Sequence, residues 1–213
     1  MSNPLDQLRN NHSDFSKNLD SFQFTDPFLA FETWFNLAVS SGEKEANAMV
    51  ISTVNEALKP SARVVYLKEL LNQQFVFYTN YLSHKGKDLL QNPNASLLFF
   101  WPDLERQVRI EGSVSRISES ESDAYFASRP RESQLGAWAS HQSQPLKEMN
   151  EIMQRYIELE QEFSGEVPRP AHWGGMALQP TYLEFWQGKP SRLHERVCFT
   201  LTEDKWQISR LNP

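Results

Sequence analysis

Apolar and polar positions along this chain follow two periods in succession. A helical period comes first: Phe28, Phe31, Trp34, Phe35 and Ala38 recur at three- and four-residue steps, which puts them on one side of an α-helix. Asp26 supplies an N-cap, Pro27 the first helical position and Gly42 a stop. From Ala48 the texture changes to short β-branched and aromatic runs at 48–54, 61–68, 74–79, 95–101 and 106–117, which read as strands. The break at Asn55-Glu56-Ala57 suits a hairpin, and His84 to Gln91 reads as a short helix stopped by Asn92-Pro93. The first four runs lie too close together for repeated βαβ units, so an antiparallel sheet or barrel is expected.

Further along, Ser118 and Glu121 form a capping-box pattern, which predicts a helix through Tyr125 and Phe126 ending before Pro130. A longer amphipathic helix is expected over 145–163, with Leu146, Met149, Ile152, Met153, Tyr156 and Leu159 on one side. Three more strands follow at about 175–187, 194–202 and 205–211, with a turn at Glu203-Asp204. Residues 1–25 are rich in Asn, Ser and Asp without a sustained period and read as a flexible N-terminal arm. The expectation is an arm followed by one domain over 26–213, mainly β with peripheral helices.

Composition supports a packed core: 39% of the 213 residues are hydrophobic, and fourteen Phe and six Trp are among them. A net charge of −6 argues against general nucleic-acid affinity, which requires a basic surface. No apolar run approaches the roughly 20 residues that span a bilayer, and the first 25 residues lack a signal-peptide core. A cytoplasmic protein with no membrane partner is expected. The single cysteine, Cys198, lies between Val197 and Phe199 and reads as a small buried hydrophobe. Gly-rich nucleotide fingerprints, paired-cysteine zinc patterns and a His-Glu-x-x-His stretch do not occur. The five histidines are scattered, so no metal site is expected.

The remaining chemistry is cationic. Arg192, His194 and Arg196 alternate, and on an extended strand they would share one face, suited to an oxyanion or to solvent at a sheet edge. A second basic set comprises Arg63, Lys68, Lys85, Arg106 and Arg109, with Gln107 between the last two. Strand alternation does not bring Arg63 and Lys68 together. Tyr125, Arg129 and Ser133 fall at intervals of four, although Pro130 would bend a helix carrying them. Trp138, Trp173 and Trp186 suit either core packing or a wall for a planar ring.

Several of these stretches occur together in a known family. RVVYLK (63–68), FVFYTN (75–80), SHKGKDL (83–89), LERQVRIEG (104–112), SRPRESQLGAW (128–138), EFWQG (184–188) and RLHER (192–196) resemble, in order and spacing, the pyridoxine 5′-phosphate oxidase family. The resemblance runs from about Asp26 to the closing RLNP. It implies an FMN-binding split β-barrel of antiparallel Greek-key type, working as a homodimer with FMN at the subunit interface. It also implies oxidation of pyridoxine or pyridoxamine 5′-phosphate to pyridoxal 5′-phosphate, with oxygen as acceptor, hydrogen peroxide as product, and ammonia released from the amine.

Carried over position by position, the resemblance implies FMN contacts from Arg63, Val64, Val65, Tyr66, Leu67, Lys68, Tyr78, Thr79, His84, Lys85, Gln107, Gln142, Ser143, Trp186 and Arg196. Lys68, Tyr125, Arg129 and Ser133 would hold the substrate phosphate, and Arg192 and His194 would sit over the pyridine ring and its reacting carbon. Two departures stand out. His84 occupies a position where the family often has Arg, and His12 one where bacterial members place a Tyr in an arm over the active site; the lid role is not carried over to His12, and Arg9 is left open. The fold also hosts other activities, which leaves a split-barrel flavoprotein for another small molecule, or a non-catalytic flavin or pyridoxal-phosphate carrier, as the alternatives.

Overall fold

The computed structural model describes residues 5, 6, 15 and 21–213; Arg9 and His12 lie outside the described residues. In chain order the elements are α1 (Pro27–Ser40), β1 (Ala48–Val54), β2 (Pro60–Tyr66), β3 (Glu69–Leu71), β4 (Gln74–Asn80), α2 (His84–Gln91), β5 (Asn94–Trp101), β6 (Arg106–Arg116), α3 (Glu119–Ser128), α4 (Arg131–Ala139), α5 (Asn150–Glu162), β7 (Trp173–Gln187), β8 (Glu195–Thr202) and β9 (Lys205–Arg210). Hydrogen bonding orders the strands β2-β1-β5-β6-β7-β4-β3, with β8 on β7 and β9 on β8. Packing resolves into two compact units built from interleaved segments. One holds residues up to Ala46 with Leu98–Ile110 and Tyr182–Pro213; the other holds Asn47–Leu97 and Glu111–Thr181.

The first unit is an aromatic core beneath α1. Asp26 Oδ1 accepts from the amides of Phe28 (2.9 Å) and Leu29 (2.7 Å), an N-cap worth about 1 kcal/mol. The helix then buries Phe28, Phe31, Trp34 and Ala38, the side that its period predicted. Phe31 lies 5.1 Å from Phe99, and Trp34 stands edge-on to Phe185 at 5.3 Å. Phe22, inside the stretch expected to be an arm, is 8% exposed and packs 5.1 Å from Phe185. The chain is therefore anchored from Phe22 onward. The β8–β9 hairpin closes through Glu203 (φ 48°) and Asp204 (φ 60°), with Thr202 opposite Lys205. Two left-handed residues in a two-residue loop match the twist of the flanking strands.

In the second unit, β1 and β2 form the expected hairpin, Val54 opposite Pro60, and β4 pairs antiparallel with β7 from Phe75–Leu178 to Asn80–Trp173. The capping box forms: Ser118 Oγ accepts from the Glu121 amide at 3.2 Å, and Glu121 Oε2 accepts from the Ser118 amide at 3.0 Å. α3 ends at Ser128, Arg129 is extended (ψ 150°), and Pro130 then opens a separate helix, α4. Phe126, Leu135, Val167 and Trp173 form a cluster onto which Tyr156 and Leu159 of α5 pack.

Three expectations change. α4 and the short strand β3 are additional elements. The helix expected over 145–163 begins only at Asn150: residues 145–149 are irregular, and the first turn opens with i→i−3 bonds, Glu151 N donating to Glu148 O at 3.1 Å and Ile152 N to Met149 O at 3.2 Å. Met149 and Met153 of its supposed inner face are exposed; the inward row is Ile152, Tyr156 and Leu159.

Gly112 of β6 provides a test of this packing. A Cβ there would lie 2.0 Å from the backbone oxygen of Gln179, whereas one at Gly165 would meet nothing within 4 Å. Gly112→Ala is expected to lower unfolding free energy by about 2 kcal/mol or more, and Gly165→Ala to leave it within about 0.5 kcal/mol. Denaturant melts of the two variants check this, and equal midpoints would contradict the close approach.

Candidate functional site

A cavity of about 810 Å³ opens in the second unit. Its walls are β2 (Ser61 to Tyr66) with Lys68, the end of β4 (Tyr78, Thr79, Asn80), the start of α2 (His84, Lys85), and α4 with the segment after it (Ser133, Gly136, Gln142, Ser143), together with Arg129 and Trp173. The cavity thus unites Arg63 with Lys68, which strand alternation alone could not do. Arg63 stands on β2 of the β1–β2 hairpin, and Lys68 on the chain just past β2.

The cations are held by a network. Arg63 Nη1 donates to Thr53 Oγ1 at 2.7 Å, Nη2 donates to Ser61 Oγ at 2.5 Å, and Thr53 Oγ1 in turn donates to Asp88 Oδ2 at 2.7 Å. Asp88, 3% exposed, lies 3.9 Å from the Arg63 guanidinium and 3.6 Å from His84 Nε2. Burial lowers the Arg63 pKa, and the Asp88 charge partly restores it. Lys85 Nζ donates to Gln142 Oε1 at 2.9 Å and Ser83 Oγ at 3.2 Å. Burial, followed by the Arg63 charge, pushes its pKa down to about 8. Ser83 is also the N-cap of α2, its Oγ accepting from Gly86 N at 3.3 Å. A Cβ on Gly86 would lie 2.3 Å from Tyr81 O, so glycine lets the helix start sit against the end of β4.

Part of the wall is aromatic. Tyr78 stacks on Tyr125 at 3.7 Å and on Trp173 at 5.4 Å, and burial foremost pushes its phenol up to about 12. The Arg129 guanidinium lies 4.5 Å above the Trp173 ring. Two buried polar atoms of this wall, Thr79 Oγ1 and Arg129 Nη1, have no hydrogen-bond partner. Unmatched buried donors are costly, and both belong to residues that line the cavity. Such a site suits a planar ligand carrying phosphate.

Leu67, Tyr125, Gln107, Trp186, Arg192, His194 and Arg196 are not among the lining residues. Leu67 is buried, its amide on Asn47 O, and Tyr125 lies behind Tyr78. The others belong to the first unit. There β6, β7 and β8 present one face carrying Arg109, Tyr182, Glu184, Trp186, Arg196 and Cys198; strand alternation adds Gln107 beside Arg109. Glu184 ties this face together, with Arg196 Nε at 2.7 Å and Arg109 Nη2 at 2.9 Å. Burial raises the Cys198 thiol pKa, in keeping with a buried hydrophobe.

The Arg192-His194-Arg196 row requires correction. Arg192 lies in a 3-10 turn, Pro190–Arg192, with Ser191 (φ 57°) and Arg192 (φ 60°) both left-handed, and only Arg196 is on β8. Pro190 and the turn end the extended run that alternation assumed. His194 Nδ1 accepts from Lys189 N at 3.2 Å, which places the ring proton on Nε2. Burial and then the Arg192 charge lower its pKa. The imidazole is therefore a neutral Nε2–H donor, set 4.6 Å from the Trp186 ring.

The second basic set also divides. Arg106 stacks 4.1 Å over Trp34 with Nε on Gln187 Oε1 at 2.7 Å, so it is a core residue of the first unit. Of the tryptophans, only Trp173 lines the cavity, while Trp138 donates to Pro168 O at 2.7 Å. Glu184 was missed, although the alternation of Tyr182, Glu184 and Trp186 marks it as sharing their face.

Two family models match the chain: pyridoxamine 5′-phosphate oxidase over residues 38–161, and the pyridoxine 5′-phosphate oxidase C-terminal dimerisation region over 173–213. A pyridoxine/pyridoxamine 5′-phosphate oxidase of Microcystis aeruginosa is 52% identical over 197 residues, 92% of each chain. One from Paraburkholderia phytofirmans is 48% identical over 215 residues, 98% of this chain and 99% of its own. Among solved structures, PhzG from Burkholderia lata in complex with tetrahydrophenazine-1-carboxylic acid superposes with a TM-score of 0.85 at 27% identity, over 89% of this chain and 94% of that one. A pyridoxamine 5′-phosphate oxidase-related, FMN binding protein from Nostoc punctiforme, 15% identical over 90% of this chain and all of its own, has a TM-score of 0.70 and shares the fold. That fold is the split barrel expected from the sequence.

Lys85 makes the cavity sensitive to pH. Its proton is held more weakly in the folded chain than in the unfolded one, so folded stability rises with pH between about 8 and about 10.5. Anion binding has the opposite dependence: affinity for a phosphate monoester is expected to fall as pH rises through about 8, and Lys85→Met to remove that limb. Titrations across this range check both, and an affinity independent of pH in the parent protein would contradict the assignment.

Proposed function

The chain belongs to the pyridoxine/pyridoxamine 5′-phosphate oxidase family, and on that premise we propose that it oxidises pyridoxine 5′-phosphate or pyridoxamine 5′-phosphate to pyridoxal 5′-phosphate with FMN as its cofactor. Oxygen receives the electrons and becomes hydrogen peroxide; the amine substrate also releases ammonia. The observation that carries this reading is the cavity itself, whose lining gathers Arg63, Lys85 and Arg129 and includes the residues of the unpartnered Thr79 Oγ1 and Arg129 Nη1. Arg63 and Lys85 fit a flavin phosphate, and Lys68, Arg129 and Ser133 a substrate phosphate. Identities of about one half to the oxidases, against 27% to PhzG, favour this substrate class over a phenazine.

FMN when bound supplies the hydride acceptor, and the protein's part is to bind, orient and shield. Arg63, Lys85 and His84 hold the cofactor phosphate by charge-assisted hydrogen bonds. Backbone and side chains of Val64, Val65, Tyr66, Tyr78, Thr79, Gln142 and Ser143 position its ring system, while the buried Leu67 is tied to Asn47. Lys68, Arg129, Ser133 and Tyr125 take the substrate phosphate. Arg192 and His194 cover the pyridine ring; with its proton on Nε2, His194 donates a hydrogen bond to the substrate and does not begin as the base. Gln107, Trp186 and Arg196 are supplied at the flavin by the second copy of a homodimer. The matched dimerisation region, residues 173–213, includes Trp186 and Arg196.

The decisive test is an absorbance spectrum of the purified protein before and after anaerobic addition of pyridoxamine 5′-phosphate. Loss of the flavin band with appearance of pyridoxal 5′-phosphate is expected; a yellow protein that does not bleach would assign it to another flavin chemistry. Arg63→Ala should release FMN first, whereas Arg192→Ala should lower kcat/KM about a hundredfold or more and keep FMN bound. Equal loss of flavin and turnover in Arg192→Ala would remove its substrate role.

A further inference from the structure

The face formed by β6, β7 and β8 holds a carboxylate to which the proposed reaction gives no task. Glu184 is 2% exposed. Its Oε1 accepts from Arg196 Nε at 2.7 Å, and its Oε2 accepts from Arg109 Nη2 at 2.9 Å and from the Tyr182 hydroxyl at 3.0 Å. That hydroxyl also lies 3.0 Å from Cys198 Sγ. Burial alone would raise the carboxyl pKa, but hydrogen bonds from Arg196 and Tyr182 and the charges of Arg109 and Arg196 outweigh it and hold the group ionised.

A buried ion pair is a weak source of stability, because desolvation consumes most of its Coulomb gain. What it supplies here is direction. An arginine on a strand has a long, flexible stem, and its planar fork recognises an oxyanion or a ring-edge oxygen only when the plane is fixed. Glu184 grips Arg196 at Nε, and the Asn212 carbonyl accepts from Nη1 at 3.1 Å. Nη2 makes no hydrogen bond among the described residues. Arg109 has a separate part: with one carboxylate between two guanidinium groups, the cluster keeps a net positive charge, so gripping Arg196 does not neutralise the face.

We infer that Glu184 is a positioning residue, fixing the Arg196 guanidinium so that its free amino group meets the flavin. The inference rests on the reading of Arg196 as an FMN ligand. Tyr182 orients the carboxylate, and Trp186, on the same face and opposite Arg196 in the β7–β8 register, borders the same surface.

A double-mutant cycle on the holoenzyme tests it, reading FMN release on dilution by the recovery of flavin fluorescence. Arg196→Met and Glu184→Gln are each expected to speed release about tenfold or more, as loss of a hydrogen bond to a charged group implies. The double variant should release FMN no faster than Arg196→Met alone, since Glu184 acts through Arg196. Additive effects would make Glu184 a general structural residue and overturn the inference. If Arg196→Met loses FMN while Glu184→Gln retains it like the parent, positioning fails and the reading of Arg196 stands. If Arg196→Met itself retains FMN, that reading fails and the inference falls with it. Should Glu184→Gln not fold, Glu184→Asp, which keeps the charge but withdraws it by one methylene, carries the same cycle.

Discussion

Cations gathered in one cavity repel each other and lose hydration, and the buried Asp88 carboxylate is the group that lets this protein assemble them. It stands on α2 one turn after His84, takes a hydrogen bond from Thr53, and lies within 4 Å of both Arg63 and His84. Without it Arg63 and Lys85 would share the cavity with no opposite charge close by, each already destabilised by burial. Asp88 and Thr53 touch no ligand in the proposed site. Their work is to keep a positive surface in place until an anion arrives and completes the charge balance.

The same logic operates on the other unit with the roles exchanged. There a single carboxylate, Glu184, is surrounded by donors, two of them guanidinium groups. Both arrangements use strand alternation to separate an apolar layer from a polar one. On β7, Leu183 and Phe185 face the aromatic core, and Tyr182, Glu184 and Trp186 face the chemistry. One strand therefore anchors the core and sets the spacing of functional groups at once, and a slip of one residue would exchange the two.

Much of this was legible in the sequence. The helix cap at Asp26, the capping box at Ser118 and the turn at Glu203-Asp204 are local signals, and local signals survive folding unchanged. The cavity residues were reached through motif resemblance, since no period relates Arg63 to Lys85 or Gln142. They meet through hairpin pairing and a helix crossing, which are long-range events. The Arg192-His194-Arg196 row failed for the opposite reason: alternation is meaningful only on extended backbone, and Pro190 begins a turn there. α5 came out short because its apparent period was started at Leu146 and Met149, which precede the first helical residue, Asn150. Glu184 escaped notice because a carboxylate within an apolar strand looks like a solvent-facing position until two arginines are found beside it.

The turn at Ser191 and Arg192 has a wider consequence. Two successive residues with side chains sit in a backbone region that glycine would occupy without strain, so this short segment holds conformational energy that the rest of the fold must offset. Glycines here would relax the backbone and give the guanidinium of Arg192 more orientations to sample. Selection for a more stable chain and selection for a well-aimed Arg192 would then favour different residues at the same two positions. With a serine and an arginine there, this chain gives up backbone ease in exchange for a narrower range of directions for Arg192.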